Sequence, residues 1–144
     1  MNRILIVEDD DTVVLILKRM LQGNLYSLFH FKDGENILEH VKEILPDLIL
    51  LDINLPTISG FEICDTLKQS DEFREIPIIF ITGMGNSENI LTGFEKGAID
   101  YIVKPFSINE LRARIKTHVD LYNLQKICKQ ERIDLLKKYE AIVE

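Results

Sequence analysis

The sequence predicts an α/β fold, a parallel sheet with helices on both faces, continued by a long C-terminal helix. Two patterns predict the sheet. Four short, strongly apolar runs and one weakly alternating run lie within residues 3–103, and the segments between them carry apolar residues at helical spacing. Strict alternation of strand and helix leads to parallel strands joined by crossovers. A third pattern predicts the extension: residues 108–140 contain neither glycine nor proline, so nothing stops the last helix.

Residues 3–7, Arg-Ile-Leu-Ile-Val, form the first strand and run into Glu8, Asp9, Asp10 and Asp11. Val13, Val14, Leu17, Met20 and Leu21 then recur as one helical face, with Gly23 as the stop. Residues 26–31 alternate weakly, which predicts an edge-like strand, and Asp33-Gly34 is a turn. Ile37, Leu38, Val41, Ile44 and Leu45 form the stripe of a second helix closed by Pro46. Residues 47–51 make the central strand, whose four apolar residues end at Asp52. Phe61, Ile63, Cys64 and Leu67 mark a third helix after Ser59-Gly60. Residues 76–81 form a fourth strand that tolerates Pro77 near its start, and residues 82–86 form a loop. Ile90, Leu91 and Phe94 mark a fourth helix ended by Gly97, and residues 99–103 a fifth strand followed by Lys104-Pro105-Phe106. Ser107, with Glu110 three residues on, is a capping-box pattern that opens the fifth helix. Leu111, Ile115 and Val119 should face the sheet.

At 144 residues, 46% hydrophobic and 28% charged, the chain can bury a core without staples. Cys64 and Cys128 lie far apart without metal-type spacing, which points to a reducing compartment and away from a disulfide framework. No apolar run approaches the ~20 residues of a membrane span, and the first strand begins at once, without a signal-peptide pattern. The expectation is a cytoplasmic protein with no membrane partner. A net charge of −7 argues against nucleic acid as a direct partner. The charge is uneven: residues 1–106 hold 9 Lys+Arg against 18 Asp+Glu, and residues 107–144 hold 8 against 6.

In sheets of this kind ligands bind at the carboxyl ends of the strands. Glu8, Asp9, Asp52, Thr82 and Lys104 stand at four such ends. An aspartate after a strand is by itself no more than a loop cap; the convergence of these residues makes Asp52 a candidate nucleophile. Three carboxylates in one small site repel each other, and a hard divalent cation, Mg²⁺, relieves that. Asp9 and Asp52 are the direct ligands expected, Glu8 acts through water or orients the shell, and Asn54 adds its backbone carbonyl. Asp11 takes the duty of capping the first helix. Attack of Asp52 on phosphorus would give an acyl phosphate, with Lys104 as counter-charge and the Thr82 hydroxyl on a phosphoryl oxygen.

These residues in this order resemble the receiver domain of bacterial two-component response regulators. The resemblance covers residues 3 to about 120. It rests on Ile-Val-Glu8-Asp9, on Asp52-x-Asn-x-Pro-x-x-x-Gly60, on Ile-Thr82-Gly, on Asp100-Tyr101 and on Lys104-Pro105-Phe106. It implies a doubly wound, flavodoxin-like (βα)5 sandwich with sheet order 2-1-3-4-5. It further implies that Asp52 accepts phosphate from a histidine kinase, a phosphotransfer protein or a small phosphodonor, with Mg²⁺ at Glu8, Asp9, Asp52 and Asn54. Thr82 would be the switch hydroxyl, Lys104 the phosphate-binding lysine, and Tyr101 the aromatic switch. The family often has Asp where Glu8 stands. Residues 1–120 are then the receiver domain and 121–144 a helical extension.

In that extension Leu121, Leu124, Cys128, Leu135 and Ile142 fall on a heptad-like stripe interrupted by Glu131 and Lys138. A dimerising helix, or one leading to an output domain outside this chain, is the reading preferred over a helix folded back on its own domain. The tail is too short for a DNA-binding helix-turn-helix of its own. Two other function classes compete. Residues 9–13, Asp-Asp-Asp-Thr-Val, also fit the signature of haloacid-dehalogenase-like phosphatases, with Asp9 as nucleophile and Asp11 as acid–base. That reading leaves Asp52 unused. A phosphorylation-independent interaction module would not need Asp52 or Lys104, and both are present.

Overall fold

The computed structural model describes residues 1–23, 25–83 and 87–143. Among them strand and helix alternate as the pattern requires: β1 (Asn2–Val7), α1 (Asp11–Met20), β2 (Tyr26–Phe31), α2 (Ile37–Ile44), β3 (Leu48–Asp52), α3 (Gly60–Lys68), β4 (Ile78–Thr82), α4 (Ser87–Glu95), β5 (Asp100–Val103) and α5 (Ile108–Val143). All pairings are parallel, in the order β2-β1-β3-β4-β5. The chain starts in the middle of the sheet and reverses direction beside β1, so β1 and β3 flank the switch point where α/β sheets bind ligands.

Alternation along each strand divides the core into two layers. Leu5, Val7, Ile49 and Leu51 pack with Val41, Ile63, Cys64 and Leu67 of α2 and α3. Ile4, Ile6, Leu48 and Leu50 pack with Leu17 of α1 and with Leu111, Ile115 and Val119 of α5. The four apolar residues of β3 are each 0% exposed, and each stabilises the fold by about 1.5–3 kcal/mol relative to exposure. That double burial is why β3 reads as an uninterrupted apolar run.

The structure corrects several expectations. Asp10, not Asp11, caps α1: its side chain accepts from the Thr12 N–H at 2.9 Å. Asp11 sits in the first turn and pairs with Lys32 at 3.3 Å. The fourth strand starts at Ile78, because Pro77 has no N–H to give the ladder and contributes only its carbonyl, to Ile49. In α4 the buried contact is Gly93, where a Cβ would lie 2.7 Å from the Phe80 ring, whereas Leu91 and Phe94 are 62% and 45% exposed. Leu38 and Leu45 of the predicted second stripe are also largely exposed. Residues 84–86 of the predicted loop lie outside the described residues.

The last helix is a single run of 36 residues, about 54 Å at 1.5 Å per residue. It does not fold back. Ser107 Oγ accepts from Glu110 N–H at 3.4 Å, one half of the expected capping box. Below the sheet, Asn123 donates to the Asn2 side chain at 2.9 Å and Lys126 pairs with Asp47 at 2.9 Å while lying over the Tyr122 ring.

Candidate functional site

The strand ends bring the predicted residues together. Glu8 extends β1 by one rung, its N–H donating to Phe31 O at 3.1 Å, and is completely buried. Asp52 is the last residue of β3 and 3% exposed. Asp9 is exposed, yet one carboxylate oxygen from each of Glu8, Asp9 and Asp52 lies within 4.8 Å of the others. Lys104 follows β5, tied to Thr82 O by its N–H at 2.8 Å, and the Lys104-Pro105 bond is cis. Its ammonium lies 3.5 Å from Glu8 Oε2 and 3.9 Å from Asp52 Oδ2.

Gly60 explains the spacing after Asp52. A Cβ at Gly60 would lie 2.3 Å from the Asp52 carbonyl oxygen, and the Gly60 N–H donates to Ile53 O at 2.9 Å. The loop leaving β3 must press against the start of α3, and only glycine fits there. The same loop turns the Asn54 N–H onto Asp52 Oδ1 at 3.1 Å, while the Asn54 side is exposed. One Asp52 oxygen is thereby fixed, and the other faces Lys104.

Burial first, and the Asp52 charge second, push the Glu8 carboxyl up to about 7. Lys104 and the Asp10 N–H oppose this without cancelling it. Asp52 is also raised, again by burial, against the pull of Asn54 N–H and Lys104. One cation is too little for two buried acids. Glu8 Oε1 accepts from Asp10 N–H at 3.3 Å, but Oε2 has no hydrogen-bond donor among the described residues. A buried orphan oxygen beside two further carboxylates is an all-oxygen set that fits a hard divalent cation.

Thr82 ends β4 one residue beyond Ile81, the lateral neighbour of Asp52, and is 1% exposed. Among the described residues its hydroxyl donates only to Gly83 O, at 3.4 Å. Tyr101 stands lower on β5, beside Phe80. It is half-buried, edge-on to Phe94 at 5.9 Å and beneath the Arg114 guanidinium at 5.4 Å. Sequence reading missed the group next to it: Asp100 accepts from Arg114 and from His118 Nε2, the latter at 3.0 Å. Glu110, Arg114 and His118 at four-residue spacing were the available signal.

The family model for the response regulator receiver domain matches residues 4–116. The chain belongs to that family. Among relatives of this receiver are the phosphate regulon transcriptional regulatory protein PhoB of Rhizobium meliloti, 38% identical over 79% of this chain, and the DNA-binding response regulator MtrA of Mycolicibacterium smegmatis, 35% identical over 82%. The chain spans 50% of the length of each. The solved structure of the chemotaxis protein CheY4 of Vibrio cholerae superposes with a TM-score of 0.74 at 26% identity, covering 81% of this chain and 98% of CheY4. The receiver therefore recurs both nearly alone and as part of longer proteins. The phosphatase reading fails on the family match.

Proposed function

We propose that this receiver is a phosphorylation-dependent signalling switch with Asp52 as the phosphoacceptor. The carrying observation is the convergence of Glu8, Asp9, Asp52 and Lys104, with Glu8 Oε2 buried, paired with the Lys104 ammonium at 3.5 Å and, among the described residues, without a hydrogen-bond donor. Asp52 attacks the phosphorus of a histidine kinase's phosphohistidine, of a phosphotransfer protein or of a small phosphodonor. The P–O bond of the acyl phosphate forms as the P–N bond of phosphohistidine breaks and the imidazole leaves with a proton; from acetyl phosphate the anhydride P–O bond breaks and acetate leaves. Glu8, Asp9, Asp52 and the Asn54 carbonyl would hold Mg²⁺, which neutralises charge on the phosphoryl oxygens. Lys104 supplies the remaining counter-charge, exchanging its contact with Asp52 for one with the phosphoryl group. Thr82 turns its weakly engaged hydroxyl to a phosphoryl oxygen, and Tyr101 moves inward behind it. The protein acts as a carrier of this mark rather than as an enzyme on other substrates, and it works in the cytoplasm.

Residues 1–120 form the receiver in this reading. Residues 121–144 are a contact helix, for a second copy or for an output domain outside this chain, and nucleic acid is not a direct partner. DNA binding is said of the relative MtrA; the net charge of −7 here carries no matching signal. Incubation with Mg²⁺ and acetyl phosphate, read by intact mass, tests the site. One added phosphoryl group is expected, lost in Asp52→Asn and after chelation. Its absence, or its survival in Asp52→Asn, removes the reading.

A further inference from the structure

The acids at the carboxyl end of β1 depend on the strand beside them. β2 lies parallel to β1, with His30 opposite Ile6 and Phe31 opposite Val7. The Glu8 N–H donates to Phe31 O at 3.1 Å, the next rung of that ladder. In a continuing parallel ladder the Glu8 carbonyl would accept from the Asp33 N–H. β2 ends at Phe31, however, and Asp33 belongs to the turn that follows, its carboxylate accepting from the Glu35 N–H at 2.9 Å. The His30 side chain takes that place: its Nε2 stands 2.8 Å from Glu8 O. A carbonyl oxygen only accepts, so Nε2 carries the proton. Side chains recur on one face of a strand every second residue, about 6.6 Å, and an imidazole on the row of Ile6 is long enough to reach the row of Glu8.

The bonds that hold residues 8–10 belong to Glu8 and Asp10. Glu8 is tied to β2 through its N–H and its carbonyl. The Asp10 N–H donates to Glu8 Oε1 at 3.3 Å, and the Asp10 carbonyl accepts from the Val14 N–H at 3.1 Å. Among the described residues Asp9, between them, holds its place by no hydrogen bond of its own. Its exposed side chain stands where the planes of its two flanking peptides put it. The peptide after Asp9 is fixed by the long bond to Glu8 Oε1; the peptide before it is the one whose carbonyl His30 holds. We infer that His30 is a positioning residue for the cation site. By fixing the Glu8–Asp9 peptide it aims the Asp9 carboxylate at the place it shares with Glu8 and Asp52. His40 supplies the contrast. It stacks on Phe31 with ring centroids 3.8 Å apart, so it steadies the same strand end from the opposite face of the sheet.

The inference rests on the reading of Glu8, Asp9 and Asp52 as a Mg²⁺ site, and it is tested by Mg²⁺ binding to the unphosphorylated 144-residue chain, measured by titration calorimetry. His30→Ala should raise the Mg²⁺ Kd about three- to tenfold, the share of one hydrogen bond, with circular dichroism unchanged. His30→Gln, whose amide N–H can reach the same carbonyl, should restore the wild-type Kd, and His40→Ala should leave it unchanged. In acetyl phosphate labelling, the Mg²⁺ concentration at half-maximal rate should rise by the same factor in His30→Ala, while the rate at saturating Mg²⁺ stays that of the wild type. Ring nitrogen spectra of the wild type should show the His30 proton on Nε2. A Kd indifferent to His30→Ala, a loss that His30→Gln does not reverse or that His40→Ala reproduces, or a His30 ring protonated on Nδ1 alone overturns the positioning role and leaves the phosphoacceptor reading standing. A wild type that binds no Mg²⁺ overturns the cation site itself, and the role of His30 with it.

Discussion

Leu48, Leu50 and Leu51 in β3 and Leu121, Leu124 and Leu135 in α5 are the same side chain at opposite ends of the accessibility scale: 0% exposed for the first set and 44–67% for the second. The difference is architectural. A strand inside a parallel sheet is covered on both faces by helices, so its apolar run is spent within the chain. A helix that outruns its sheet has nothing of its own to cover it. Charge follows the same division. Where the apolar run of β3 ends, carboxylates are forced into a dry mouth and press on each other. Along the tail, charged residues stand in water and press on nothing.

The comparison breaks if the two sets of leucines turn out to be energetically alike. Leu50→Ala should lower unfolding stability by about 3–4 kcal/mol, whereas Leu135→Ala, at concentrations below association, should change it by less than about 0.5 kcal/mol. Denaturant titration of both variants measures this.

The mouth can be sharpened by pH. The Glu8 carboxyl sits at about 7 in the folded chain against an ordinary 4.5, so the folded state binds more protons between those values. In chelator, stability should therefore fall as pH rises through that window, by up to about 3 kcal/mol from Glu8, whose contribution is whole below 4.5. Asp52, also raised by burial, works in the same direction. Glu8→Gln should flatten the profile, and saturating Mg²⁺ should reverse its slope, because a cation then takes the place of the proton. An identical profile in Glu8→Gln would show that the buried carboxyl is not the source.

The smallest effect belongs to the junction. Lys126 is half exposed in its pair with Asp47, so Lys126→Ala should cost no more than about 0.5 kcal/mol. It should nevertheless speed amide exchange locally around residues 122–130 and nowhere else.

Most of the architecture was legible because hydropathy reports burial directly. The runs ending at Val7, Asp52, Thr82 and Val103 are the strands, and the polar residues just past them make the mouth. What escaped reading has physical reasons. Gly93 carries no hydropathy, so periodicity assigns the face of α4 to Ile90, Leu91 and Phe94, of which Leu91 and Phe94 are largely exposed. Three successive aspartates present equal capping chemistry, and only the backbone angle at Asp10 selects one. Asp100 finds Arg114 and His118 only once β5 and α5 are packed side by side. The course of the tail depends on Asn2 and Asp47, which no local pattern links to Asn123 and Lys126. Around Asp52, Glu8, Asp9 and Lys104 were legible because each stands just past an apolar run that hydropathy marks as a strand.

Asn2 and Asp47, which hold the departing helix, mark the amino ends of β1 and β3; Glu8 and Asp52 mark their carboxyl ends. The six residues of β1 keep these two places about 20 Å apart. A substitution at Asn2 or Asp47 therefore loosens the root of the tail without touching Glu8 or Asp52, and one at Asp52 leaves the hold on the tail intact. The two ends of one short strand can be altered one at a time.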